Sequence, residues 1–84
     1  MTSAERFKKI VLVMRSAQHA VLTSKEVAKT YMQNPTSSDS LSTGTILNVM
    51  ALLGYVVRKE RPRGQRAYIV TYQATQKINT IEGV

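Results

Sequence analysis

The chain contains no cysteine and no tryptophan, with one histidine, two prolines and four glycines. Without cysteine there is no disulfide, no thiolate metal site and no thiol nucleophile, and a reducing cytoplasm is the natural setting. Aromatic residues are scarce: four tyrosines and one phenylalanine leave aliphatic side chains to fill most of a core drawn from 43% hydrophobic residues. Acids are also few. Glu5, Glu26, Asp39, Glu60 and Glu82 are scattered along the chain, and His19 stands alone. No metal-ligand spacing, glycine-rich phosphate loop or serine with a nearby base appears, so neither catalysis nor a cofactor is expected. No apolar run approaches the roughly 20 residues of a membrane span. The opening MTSAERFKK has no clear small-residue cleavage site and reads as the start of a helix rather than a signal peptide.

What the chain does have is positive charge. Twelve Lys and Arg against five Asp and Glu give a net +7 over 84 residues. Such a balance favours polyanionic partners, nucleic acid first and an acidic membrane surface second. The charge is also concentrated. The stretch RKERPRGQR, 58–66, holds Arg58, Lys59, Arg61, Arg63 and Arg66 against the single acid Glu60.

Periodicity and punctuation divide the chain into short elements. Residues 4–18 read as a helix, with Phe7, Ile10, Val11, Met14 and Ala17 at helical spacing, and with Leu12 and Val13 widening the apolar surface. An extended stretch, His19 to Leu22, leads to Thr23-Ser24-Lys25-Glu26, a T-x-x-E capping box that opens a second helix running to about Met32. Val27, Ala28, Tyr31 and Met32 form its inner face, and Asn34-Pro35 ends it. After a polar loop, 34–40, a third helix starts near Ser40 or Ser42 and runs to Leu53, with Ile46, Met50, Leu53 and Val49 inward. Its opposite side carries Gly44, Thr45 and Asn48, flanked by Leu41 and Leu52, and Gly54 closes it. Tyr55–Lys59 and Gln65–Tyr72 read as strands joined by Arg61-Pro62-Arg63-Gly64, a composition suited to a type II turn. The last residues, 73–84, form a short tail with room for a helical turn.

The expected class is therefore α+β, three helices followed by a two-stranded C-terminal hairpin. TILNVMALLGYVVRKERPRGQRAYIVT (45–71) resembles the recognition helix and wing of small prokaryotic winged helix-turn-helix regulators. In those a helix ends in L-x-x-L-G-hydrophobic-V, followed by a basic turn and a Y-x-hydrophobic strand. LTSKEVAKTYM (22–32) is similar to the helix that precedes it. The resemblance covers about residues 5 to 72, within an expected domain of 1–72. One departure is the loop Asn34 to Ser40, longer than the tight turn usual between the two helices.

The resemblance implies a transcriptional regulator that binds double-stranded DNA, with the third helix (about 42–53) in the major groove. Thr43, Thr45 and Asn48 are then the base-reading candidates, Asn48 being suited to adenine. Gly44 would let the backbone approach, and Ser40 and Ser42 could hold a phosphate at the helix start. No residue between Ser40 and Val57 is charged, so the wing must supply the attraction. Arg63 is placed to enter a minor groove, while Arg58, Lys59, Arg61 and Arg66 contact backbone. Lys25 and Lys29, with Lys8 and Lys9, are candidates for outer phosphates. A homodimer through the first helix or the tail is the expected assembly. Two alternatives stay open: a winged-helix module for protein partners, and a non-specific nucleic-acid binder.

Overall fold

The computed structural model describes residues 1–62, 64 and 68–84. Its elements run α1 (Ser3–Ser16), α2 (Ser24–Tyr31), α3 (Ser37–Leu52), β1 (Val56–Pro62), β2 (Tyr68–Ala74) and a 3₁₀ helix (Gln76–Thr80). The α+β layout of three helices followed by an antiparallel hairpin is as expected.

All three helices start by the same device. Thr2, Thr23 and Thr36 are N-caps whose hydroxyls accept from the backbone N–H three residues on, at Glu5, Glu26 and Asp39. In α2 and α3 the acid reaches back to the cap's own N–H, completing a capping box. The start expected at Ser40 or Ser42 is thus corrected to Ser37. Thr36 with Asp39 satisfies two orphan amides at once, which the later serines lack the acid to do. The connection after α2 shortens accordingly to residues 32–36, and the long loop disappears.

The core is formed by Ile10, Val11, Val13 and Met14 of α1, Val27 and Ala28 of α2, Leu47 and Met50 of α3, and Val56, Tyr72 and Ala74 of the hairpin. On α3 the inward stripe is Thr43, Leu47 and Met50, not Ile46, Met50 and Leu53. At 100° per residue the two stripes differ by about 60°. Val49 and Leu53 consequently lie half exposed. A threonine occupies the core position because its hydroxyl is fully engaged. Thr43 Oγ1 donates to Asp39 O at 2.8 Å and lies 2.6 Å from the Tyr31 hydroxyl.

At its other end α3 stops in a Schellman motif. Gly54 takes φ +85, its N–H donates to Ala51 O, and the Tyr55 N–H donates to Met50 O. The carbonyls left over are taken from far along the chain. Lys77 Nζ donates to Leu53 O and Thr75 Oγ1 to Gly54 O, each at 2.7 Å. The lysine also places a cation at the negative end of the helix dipole.

The first strand is longer than its sequence suggests, and residues 65–67 of the expected second strand lie outside the described residues. Pairing extends from Val56 with Ala74 to Pro62 with Tyr68, so Arg61 and Pro62, expected in the turn, are strand residues. Gly64 has φ +103, a conformation that favours glycine. Leu22, from the stretch before α2, forms an isolated antiparallel bridge to Tyr72 on the free side of β2. The strand also runs past residue 72, and the segment beyond joins the core. Ile78 is fully buried, and Arg15 donates to the carbonyls of Ile78 and Ile81.

Candidate nucleic-acid interface

One turn after another, α3 presents Leu41, Thr45, Asn48 and Leu52 to solvent. Spacing of four, three and four residues keeps these side chains on one stripe. On one side of the stripe a groove of about 620 Å³ separates α3 from the start of α2, bordered by Ser24, Lys25, Ser40 and Gly44. On the other side a second hollow of about 660 Å³ lies between the end of α3 and β1, bordered by Ala51, Leu52, Val57 and Arg58. Asn48 belongs to both.

The expected site residues separate on this frame. Thr45, Asn48 and Lys25 are exposed around the stripe, and Arg58, Lys59 and Arg61 are exposed on β1. Ser42 is half buried and turned toward α1, bordering a hollow with Met1, Ser3 and Arg6. Thr43 is corrected. It is fully buried, its hydroxyl is spent on Asp39 and Tyr31, and it cannot read a base. Arg63 and Arg66 lie outside the described residues.

The polar atoms on the stripe are already partly committed. Thr45 Oγ1 donates to Leu41 O at 3.0 Å, so its hydroxyl faces outward as an acceptor. Asn48 Oδ1 accepts twice, from Arg58 Nε at 3.0 Å and from the Tyr72 hydroxyl at 2.7 Å. Tyr72 is an element that sequence reasoning missed. Its placement follows from the cross-strand register, in which Tyr72 stands opposite Arg58.

Electrostatically the hairpin has two faces. Arg58 and Glu60 share one, where Arg58 Nη1 donates to Glu60 Oε1 at 2.7 Å. That carboxylate raises the guanidinium further above its ordinary value. Lys59 and Arg61 share the other face with Val57, by strand alternation. They are exposed, and no acid pairs with them among the described residues. Other basic residues are used inside the fold: Arg6 binds Tyr31 and Asp39, Arg15 binds backbone carbonyls, and Lys77 caps α3.

Four of the five acids are committed in the same way. Glu5 pairs with Thr2, Glu26 with Thr23, Asp39 with Thr36 and Arg6, and Glu60 with Arg58. Among the described residues no three His, Asp or Glu side chains gather as metal ligands. No helix among them is long and apolar enough to cross a membrane.

The apolar excess expected on α1 narrows to Leu12, half exposed, because Val13 is buried. Ile78, the apolar anchor of the tail, is likewise inside its own core. An apolar groove does remain between α1 and the end of α3, bordered by Phe7, Ile46, Val49, Leu53 and Tyr55.

No family model, curated protein or solved structure matches the chain.

Proposed function

We propose that the chain is a winged helix-turn-helix domain that binds double-stranded DNA as a sequence-specific transcriptional regulator. In this reading α3 lies in the major groove and the basic hairpin is the wing, set on the phosphate backbone or in the adjoining minor groove. The observation that carries it is the tie between Asn48 and Arg58. It ties the uncharged polar stripe of α3 to Arg58 of the strand that carries the basic residues. A helix fits the major groove by width, and polar side chains on its outer stripe can meet base edges. Attraction to the polyanion then comes from Lys25 beside the groove and from Lys59 and Arg61 on β1, with Arg63 and Arg66 adding charge by sequence.

Titration of labelled duplex at two salt concentrations, with competitor DNA, tests the proposal. Affinity should fall steeply as salt rises, because each neutralised phosphate releases counterion. A preferred sequence should survive competition. Absence of binding at low salt overturns the reading, and binding without preference reduces it to non-specific contact.

A second reading rests on Leu41 and Leu52, which are 74% and 88% exposed at the two ends of the same stripe. Exposed leucines flanking a neutral face suit a protein partner, with the basic strand meeting an acidic surface. Substituting both leucines with glutamine separates the two. DNA affinity should change little if Thr45, Asn48 and the cations carry binding, whereas loss of a protein partner would follow under the second reading.

A further inference from the structure

We propose that Asn48 acts as a donor-only reading residue, selecting a base that presents acceptors, guanine above all, and discriminating against adenine. The inference rests on the DNA-binding reading and specifies what the centre of α3 would recognise.

The argument starts from the orientation of one amide. An asparagine on a reading helix ordinarily matches adenine by using both ends of its side chain, the oxygen accepting from N6 and the nitrogen donating to N7. Asn48 does not have both ends to offer. Arg58 Nε can only donate, so the amide atom 3.0 Å from it must be the oxygen. The same oxygen takes the Tyr72 hydroxyl at 2.7 Å, which fills its second lone pair. Tyr72 is 3% exposed and Arg58 is held in turn by Glu60, so this arrangement is fixed from within the hairpin. What remains for an outside partner is the Nδ2 amide with two hydrogens, on an exposed residue at the junction of the two grooves.

A pair of donors has a definite complement in the major groove. Guanine offers N7 and O6, both acceptors, and thymine offers O4. Adenine offers N7 beside an N6 donor, and that donor would face the Asn48 amide hydrogens without an acceptor. A side chain already held in one rotamer gives up little freedom on binding, which sharpens the discrimination. Thr45 complements it one turn earlier, since its hydroxyl hydrogen is committed to Leu41 O and only acceptor capacity faces out.

Selection of bound duplexes from a random pool, with the full chain, tests this in three forms: wild type, Asn48→Asp and Tyr72→Phe. Asn48→Asp keeps an oxygen for Arg58 and for Tyr72 but removes the two outward donors. Wild type should show guanine at one position, favoured over adenine by roughly tenfold or more. In Asn48→Asp that preference should vanish while preferences elsewhere persist. Tyr72→Phe releases one lone pair of Oδ1, so adenine should become acceptable at the same position. Thermal melting shows whether each variant is folded, and Asn48→Asp carries the test alone if Tyr72→Phe is not. Adenine at that position in the wild type overturns the inference and leaves DNA binding standing. So does an Asn48→Asp variant that loses affinity evenly while keeping the guanine, because a new carboxylate would then be acting by charge alone. If the wild type selects no sequence, the DNA-binding reading fails first and this inference with it.

Discussion

The hydroxyls of Tyr31 and Thr43 meet at 2.6 Å, joining α2 to α3. Their neighbours settle the direction of the bond. Thr43 spends its hydrogen on Asp39 O, so Tyr31 donates to Thr43, and the tyrosine oxygen in turn accepts from Arg6 Nη1 at 2.9 Å. Arg6 Nη2 closes the circuit on Asp39 Oδ1 at 3.2 Å. Three helices are thus held by one chain of hydrogen bonds in which each donor has an acceptor.

Thr43→Val keeps the branched shape and removes the hydroxyl. It leaves Tyr31 without its acceptor in a part-buried place, at a cost of about 1–3 kcal/mol. Urea denaturation should show that loss. DNA binding measured where the variant is folded should be unchanged, since Thr43 is fully buried. Loss of binding at full folding would put Thr43 back among the contacts.

The C-terminal segment is part of the fold through Ile78. Fully buried against the core, this residue anchors a 3₁₀ helix whose neighbours Thr75 and Lys77 cap the end of α3. Ile78→Ala should cost about 2–5 kcal/mol, a large part of the roughly 5–15 kcal/mol that holds a small domain folded. Thermal melting reads it directly. A shift of only a degree or two would mean that the segment is dispensable.

How much of this was legible follows from the range of each interaction. The Thr23 capping box is local, four residues long, and legible directly. The same box at Thr36 is obscured because Ser37, Ser38, Ser40 and Ser42 all offer hydroxyls, and only Asp39 distinguishes the true start. On α3, the inward place of Leu47 is hidden because a polar Thr43 breaks the apolar pattern of the inward stripe. Ile78 has no periodic neighbours, and its burial comes from the packing of the 3₁₀ helix on α1. The link from Tyr72 to Asn48 depends on the strand register, which extends three pairs beyond Lys59 to Pro62. The exposure of Thr45 and Asn48, being a matter of helical spacing alone, is legible in the sequence.

Asp39 makes stability depend on acid. Its carboxylate is held below the ordinary value near 3.8, first by the Thr36 backbone N–H and hydroxyl and then by Arg6. A depressed folded-state value means that the contribution is fully present above the unfolded value and is lost as pH falls through the folded one. The urea midpoint of the wild type should therefore exceed that of Asp39→Asn at neutral pH, with the gap closing as the solution is acidified below about pH 4. A gap that stays constant with pH would show that the carboxylate charge is not what matters.

Gly44 allows stability and binding to be separated. A methyl group placed there would meet Ser24 Cβ at 3.5 Å and Oγ at 3.6 Å, ordinary contact distances. Gly44→Ala should stabilise α3 by about 0.5–1 kcal/mol through helix propensity. It also adds bulk to the groove between α2 and α3, where Gly44 lies beside Thr45 and Asn48. A protein that melts higher yet binds duplex more weakly is the expected outcome. Unchanged affinity would place the DNA outside this groove.

The hairpin cations should not act alike. Lys59 and Arg61 are exposed and paired with no acid among the described residues, whereas Arg58 is bound to Glu60 and Asn48. A cation that contacts a phosphate adds about one to the slope of log affinity against log salt. Replacing Lys59 and Arg61 together with alanine should therefore reduce that slope by about two, equally for preferred and random duplexes. Arg58→Ala should change the slope much less, because its charge is already balanced by Glu60. Its effect should fall on sequence preference, since the Asn48 oxygen loses one of its two donors and regains capacity to accept from a base. A slope reduction of about one for Arg58→Ala would mean that the ion pair opens on DNA, and the division of labour along β1 would have to be redrawn.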